Sequence, residues 1–430
     1  MNFIKKITGS FNPSNNVYSK NAIMLLSDNI IKLALNFVLS IFIARYFGPE
    51  RFGQVNYVLA FIGILQVFVL FGFEGIVLKD IGLGLYPESR ILGTVIKTRL
   101  LLAVIVFSIG LVIFYFYFDK SLLFIYFILG VQLFICSLHI LKEWYQIKSL
   151  NKYTVIASQI SFIIIFLLKI TLILLSKDII WYAYILTLGS LIEALLLLIF
   201  FKRQTKRVNI EKFNIPYVKH LFKASLPLLF QNFAIIIYMK IDQLMIGKML
   251  SVYDLGLYSI SVSISGIVYF IPMAVSNAVY PKIAQAKKDG KDYEALLVKL
   301  GSVNIFICVL FAIVCTLFAP FIISNLYGEA YSVAGSVIQI HSWAGVFVAI
   351  GVSHGSFIIF NNMQKYSLIG TVFSAIINII GNFICIPIWG INGAAFTVIL
   401  SQFFAAYLFY CCIQDKRTFV LRTKSLFFRW

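Results

Sequence analysis

Charge is what this 430-residue chain has least of: Lys, Arg, Asp and Glu together make up 12% of it, about half the share of an ordinary soluble domain. Such a chain cannot cover a globular surface with charge, and its 61% of hydrophobic residues and mean hydropathy of +0.94 name lipid as its solvent. Cysteine is scarce as well. The six cysteines lie in or beside apolar runs, two of them adjacent as Cys411 and Cys412, at spacings that suit neither a metal site nor a disulfide framework. They read as small hydrophobes in helix packing. No Gly-rich phosphate loop precedes a Lys and Ser/Thr, no His-Glu metal motif occurs, and no nucleophile elbow is found, so the chain is not expected to be an enzyme or to hydrolyse nucleotides. The first twenty residues are polar, with Lys5, Lys6 and Lys20, and end in no small-residue cleavage site, so the first apolar run is expected to be a retained helix.

What the chain does have is apolar runs of about 20 residues or more, recurring throughout its length between short charged connections. Twelve spans can be drawn: 21–45, 54–78, 91–118, 121–142, 153–176, 179–201, 221–248, 254–281, 297–326, 332–360, 366–388 and 391–414. Tight turns punctuate them at Gly48-Pro49-Glu50-Arg51, Asp119-Lys120, Lys177-Asp178 and Gly390-Ile391-Asn392-Gly393. The expected fold is an all-α polytopic membrane protein, with about 12 transmembrane helices in two pseudo-symmetric six-helix lobes around a central cavity. Its parts would be a cytoplasmic N-terminal segment (1–20), an N-lobe (21–201), a cytoplasmic inter-lobe loop (202–220), a C-lobe (221–414) and a cytoplasmic basic tail (415–430).

With the amino terminus in the cytoplasm, about 28 of the 36 basic residues fall on the cytoplasmic side and about 5 on the other, a strong positive-inside bias that sets both termini in the cytoplasm. The net charge of +19 is thereby explained without nucleic acid. Basic runs such as Lys202-Arg203 with Lys206-Arg207, and Lys282 through Lys291, would meet an anionic leaflet. The extracytoplasmic connections are too short to hold a catalytic domain.

The first and seventh spans end alike. Ile43-Ala44-Arg45 precedes Phe52-Gly53 as Ile246-Gly247-Lys248 precedes Leu255-Gly256, at a constant offset of 203 residues, close to half the chain. A duplication of this kind, with an even number of spans per half, gives parallel repeats about an axis along the membrane normal. The same offset carries the face of residues 28, 32, 35 and 39 onto 231, 235, 238 and 242.

Charges inside apolar spans cost on the order of 2.5 to 3.5 kcal/mol even on the mildest scale, and they mark functional sites by default. Asp28 and Lys32 lie four apart on one helical face, where Lys32 is either a cavity cation or the structural partner of Asp28. Asp242 occupies the equivalent face of the seventh span, and Lys240, about 200° away, points elsewhere. Lys169 sits about 12 Å from the nearer end of its span, too deep for easy snorkelling. Arg45 flanks the first extracytoplasmic turn, as an anchor or in substrate release. Glu193, at the depth of Lys32, has no neighbouring cation in sequence and needs a partner from another helix or a proton. Asp28, Asp242 and Glu193 are the candidates for coupling or gating. Glu74, between Gly72 and Gly75, reads as a surface or packing residue, His341 and His354 as hydrogen-bonded histidines, and Asn378 with Asn382 as an interhelical hydrogen-bonding pair.

Several short motifs, in order, carry a resemblance. Gly48-Pro49-Glu50-Arg51-Phe52-Gly53, Glu143-Trp144-Tyr145-Gln146, Leu226-Pro227 leading to Ile241-Asp242-Gln243, Gly256-Leu257-Tyr258, Tyr280-Pro281, and Leu326-Tyr327-Gly328-Glu329 with Tyr331 together resemble the polysaccharide flippases of the multidrug/oligosaccharidyl-lipid/polysaccharide exporter (MOP) superfamily. The O-antigen flippases called Wzx are the relatives in view, over roughly residues 20–415. The resemblance implies a flippase that moves a polyprenyl-diphosphate-linked oligosaccharide, an O-antigen or capsule repeat unit, from the cytoplasmic to the periplasmic leaflet of a bacterial inner membrane by alternating access. Lys32, Lys240 and Lys169, with Arg45, would form a cationic lining for the diphosphate and acidic sugars. No cofactor is implied; coupling to H+ or Na+ is left open. The expected partners are the lipid-linked oligosaccharide, membrane lipids and the polysaccharide polymerase machinery. Two rivals share the architecture: a drug or cation antiporter, which favours acids and aromatics over lysines, and a peptidoglycan-precursor flippase, which commonly carries further helices. A membrane glycosyltransferase or O-antigen polymerase would need a large catalytic loop that this chain lacks.

Overall fold

A computed structural model describes residues 17–205, 213–413 and 416–428, with side chains at residue 32 and from 35 onward. All regular structure among the described residues is helical. In chain order the α-helices are α1 (Val17–Leu70), α2 (Phe73–Gly82), α3 (Glu88–Tyr117), α4 (Leu123–Gly130), α5 (Gln132–Ile135), α6 (Ile140–Ile147), α7 (Asn151–Leu174), α8 (Ile179–Gln204) and α9 (Ile215–Met249). There follow α10 (Val252–Ser265), α11 (Ile267–Lys288), α12 (Tyr293–Tyr327), α13 (Ala334–His341), α14 (Ala344–Ser353), α15 (Gly355–Phe360), α16 (Gln364–Phe403), α17 (Phe409–Cys411) and α18 (Arg417–Leu426). Among the described residues, ten segments are long and apolar enough to cross a membrane. Two of them break at a glycine with non-helical dihedrals: α1 at Gly48, before Pro49, and α16 at Gly390. Each break divides one segment into two arms. At the second break the chain folds back, because a Cβ on Gly393 would lie 2.1 Å from the Cys385 carbonyl oxygen, far closer than eight residues of straight helix permit.

The described residues divide into two compact units, one drawn from 17–47 and 54–236 and the other from 48–53 and 237–428. In the first, a core of buried side chains joins the ends of α2, α6 and α8 to the starts of α3 and α9, with Phe73, Ile91, Trp144, Leu197, Phe201 and Leu221 among its members. These are the ends that adjoin the basic loops. In the second, the corresponding core contains Ile283, Leu297, Phe357, Tyr410 and Leu421.

Leu421 belongs to α18, in what the sequence offers only as a basic tail. Thr418, Leu421, Arg422 and Ser425 recur at helical spacing and are all buried, so α18 is bound by one face to the unit. The Ser425 hydroxyl lies 3.2 Å from His354 Nε2, and Ser302 Oγ donates to the Ser425 carbonyl at 3.0 Å. Arg422 donates from Nη1 to the carbonyl of Ala406, within the π-helical turn at Phe404–Leu408, and its guanidinium stands 3.8 Å from the centre of the Tyr410 ring. Burial lowers the pKa of Arg422 to about 10.

The sequence duplication has a physical counterpart in the second unit. Gly53 lies against the Val252 carbonyl and Gly256 against the Pro49 carbonyl, so near that an added Cβ would stand 1.8 Å and 2.0 Å from those oxygens. Pro49 and Val252, like Gly53 and Gly256, are 203 residues apart. The two turns therefore approach each other reciprocally, as elements related by a two-fold operation do.

Candidate functional site

The sequence-predicted residues fall into two groups, each inside one unit. In the first unit Lys32 of α1 donates from Nζ to Ser158 Oγ of α7 at 2.5 Å. The side chain of Asp28, its expected partner, lies outside the described residues. Lys169, deeper on α7, holds its ammonium 5.4 Å from the centre of the Tyr182 ring on α8. Arg45 is exposed near the end of the first arm of α1, while its neighbour Tyr46 donates to the Lys177 carbonyl at 3.0 Å. Glu193 has found its partner on another helix: Lys142 of α6 approaches its carboxylate at 2.9 Å.

A second set of charges in this unit is absent from the sequence reading. Arg99 of α3 is completely buried, with Nη2 2.6 Å from Glu74 Oε1 and 3.3 Å from the Leu70 carbonyl. Glu74, part-exposed, is thus the ion-pair partner of a buried arginine as well as a packing residue. Asp80, also buried, accepts from the Tyr217 hydroxyl at 2.9 Å and lies 3.2 Å from His220 Nε2, which ties α2 to the start of α9. Glu88 accepts from Trp144 Nε1 at 2.8 Å and Lys148 at 2.5 Å. The sequence signal for Arg99 was its depth, eight residues inside the third span. Its partner could not be read, because Glu74 is 25 residues away and belongs to another helix.

In the second unit the centre is Asp242 of α9, which is 4% exposed. The Tyr258 hydroxyl of α10 donates to its Oδ2, and its Oδ1 has no hydrogen-bond partner. Tyr238 and Tyr269 both lie within electrostatic reach of this carboxylate. His341 of α13 stands among the same rings, 6.4 Å from Tyr258 and 6.2 Å from Tyr269, and its Nδ1 is 2.7 Å from Ser265 Oγ. Lys240 extends from α9 to Gln243 Oε1 at 3.3 Å and lies within electrostatic reach of Asp242. His354 is hydrogen-bonded as expected, to Ile350 and Ser425. Asn378 and Asn382 bond to each other at 3.2 Å along α16 rather than between helices.

Chemically, the first unit offers the Lys169 ammonium beside a tyrosine ring, and the second a carboxylate shielded by aromatic rings. No group of three or more His, Cys, Asp or Glu arranged for a metal ion occurs among the described residues.

Comparison with known proteins follows the same lines. Over 203 residues, 46% of this chain and 50% of the relative, the sequence is 28% identical to the capsular polysaccharide biosynthesis protein CapF of Staphylococcus aureus, so the match spans half of that relative's length. Over 391 residues, 89% of this chain and 80% of the relative, it is 21% identical to the probable low-salt glycan biosynthesis flippase Agl15 of Haloferax volcanii. In fold it is similar to the lipid II flippase MurJ in its inward closed conformation, at a TM-score of 0.74 and 14% identity, covering 94% of this chain and 91% of that one. It is likewise similar to an inward-facing multidrug resistance MATE family transporter of the MOP superfamily, at a TM-score of 0.70 and 15% identity over 94% and 99% of the two chains. The solved structures that share this fold are those of a flippase and a transporter. Residues 42–336 match the profile of the polysaccharide biosynthesis proteins, and the chain, a multi-pass membrane protein, belongs to that family.

Proposed function

We propose that this protein carries a polyprenyl-diphosphate-linked oligosaccharide, an O-antigen or capsule repeat unit, from the cytoplasmic to the periplasmic leaflet of a bacterial inner membrane by alternating access. The observation that carries this reading is the company its intramembrane lysines keep. Among the described residues Lys169 and Lys240 make no ion pair: one rests on a tyrosine ring and the other on an amide oxygen. An ammonium group whose contacts are a ring or an amide oxygen is left to meet an incoming anion, and a diphosphate supplies one at each phosphate. Lys32, which donates to the Ser158 hydroxyl, is the ligand the sequence singles out in the first span; Arg45, exposed near the end of its arm, serves release. A sugar-bearing headgroup crosses hydrocarbon when such a path replaces its hydration, while the polyprenyl tail stays in lipid.

Direction would come from protonation or Na+ binding at a carboxylate. Asp242, with an unpartnered Oδ1, is the better candidate than Glu193, which Lys142 neutralises. The acid and rings around Asp242 are also what a cation antiporter would use, so substrate charge is the deciding property. The test is the leaflet location of diphosphate-linked repeat units in cells lacking the protein. Accumulation on the cytoplasmic side is expected; normal surface polysaccharide with altered drug tolerance would overturn the reading. In proteoliposomes, equal headgroup translocation with and without imposed pH and Na+ gradients would dismiss coupling.

A further inference from the structure

The motif Glu143-Trp144-Tyr145-Gln146 lies on α6, and packing accounts for its two rings. Trp144 and Tyr145 are 3% and 0% exposed. Trp144 Nε1 donates to Glu88 at 2.8 Å, and the Tyr145 hydroxyl to the Leu197 carbonyl at 3.1 Å. Two anchors on successive residues fix the rotation of the helix, and with it the direction of Glu143. Packing does not account for that carboxylate. Its Oε2 is shut off from solvent without a hydrogen-bond partner, within electrostatic reach of Arg99 and Glu74.

Arg99 completes the argument from the other side. Its Nη2 serves Glu74 and the Leu70 carbonyl, but its Nε and Nη1 are buried with no acceptor. One guanidinium therefore faces two carboxylates and bonds to one. The titratable neighbours among the described residues are Glu74 from α2, Arg99 from α3, Cys136 and His139 on the chain leading into α6, Lys142 and Tyr145 on α6 itself, Glu193 from α8, and Tyr153 from α7. Lys142 is engaged by Glu193. Arg99 and Lys142 set against Glu74, Glu143 and Glu193, with His139 neutral, leave one negative charge in excess. An uncompensated charge among apolar helices costs several kcal/mol, and two carboxylates competing for one cation is the arrangement in which one of them keeps its proton.

We propose that Glu143 is a proton-carrying carboxylate of this transporter. In the arrangement described it holds H+ on Oε2 while Arg99 is committed to Glu74. On release, the carboxylic acid gives up its proton, and the carboxylate formed accepts from the Nε–H and Nη1–H of Arg99, which then bridges both acids. Glu74, whose side chain is 31% exposed, connects the cluster to water and gives the proton its route. The role in a transport cycle rests on the function proposed above; the proton site itself does not.

The test separates the two. Infrared difference spectra of the full-length protein in lipid nanodiscs, titrated from acid to alkaline pH without substrate, are expected to contain a protonated-carboxyl C=O band that bleaches as pH rises. Glu143→Gln should remove that band. Glu143→Asp should keep it at a shifted frequency, and this arm carries the test if the glutamine variant does not fold. Glu74→Gln should weaken it, because Arg99 is then released to pair with Glu143. A band that persists unchanged in both Glu143 variants, its absence from the unsubstituted protein, or bleaching by Na+ at constant pH would each overturn the proposal. Loss of the band in Glu143→Gln together with headgroup transport indifferent to a pH gradient would leave the proton site standing and refute its part in transport.

Discussion

An alanine at Gly256 tests the reciprocal approach of the two repeated turns. The added Cβ would stand 2.0 Å from the Pro49 carbonyl oxygen, and the Cβ of an alanine at Gly53 1.8 Å from that of Val252, whereas real Cβ contacts stop at about 3.0 Å. Both obstacles are backbone, so no side chain can swing aside, and the segments must part by about 1 Å in either variant. Overpacking of this kind costs about 1–3 kcal/mol, and rigid atoms on both sides put these substitutions at the upper end. Gly63 is the control: it lies on α1 with Gly53, an added Cβ there meets nothing within 4 Å, and Gly63→Ala should be neutral or mildly stabilising. Because either alanine already separates the segments, the pair Gly53→Ala/Gly256→Ala should cost about as much as one of them. A coupling energy of roughly 1–3 kcal/mol in a double-mutant cycle expresses that sharing. The measurement is the midpoint and slope of detergent-induced unfolding, followed by helical circular dichroism. If Gly256→Ala unfolds like Gly63→Ala, or if the two alanines add independently, the reciprocal contact is not part of the native structure.

Other expectations follow from single interactions. Lys32→Ala should impair repeat-unit export with membrane insertion intact, raising half-saturation by about 10- to 150-fold if the lost contact is a charge-assisted bond to phosphate worth about 1.5–3 kcal/mol; unaltered export would overturn the assignment. Glu193→Gln leaves Lys142 without its carboxylate, and Lys142→Gln in the same chain should restore any lost stability if the pair is scaffolding; an ion-dependence of transport that stays altered in the double variant would assign Glu193 to coupling. Arg422→Ala removes a buried side chain and leaves the Ala406 carbonyl without its donor, a loss of about 2–4 kcal/mol, whereas Arg422→Met keeps the stem and should lose less. Protease cleavage of the 416–428 segment would report it, and equal resistance in all three proteins would show that α18 is held by other contacts.

The contrast between Lys32 and Arg99 explains what was legible in the sequence and what was not. Helix positions and chain reversals are written locally: an apolar run about 20 residues long has to span, and Gly48-Pro49 and Gly390 have to interrupt it, whatever surrounds them. Depth is local in the same sense, so Lys32, Lys169 and Asp242 stood out from their own spans. Partners are not local. Lys142 meets Glu193 across 51 residues, Arg99 meets Glu74 across 25, and α18 inserts Ser425 beside His354 across 71, and no periodicity within one helix encodes which neighbour it will face. A buried charge is therefore visible in the sequence as a problem, and its solution becomes visible only in the packed bundle. Where the solution accounts for every charge, as at Lys142–Glu193, the residues read as scaffold. Where it leaves a carboxylate oxygen unpartnered, as at Asp242 and Glu143, the remaining charge must be met by something the chain does not supply. In a transporter that something is a proton, an ion or the cargo itself.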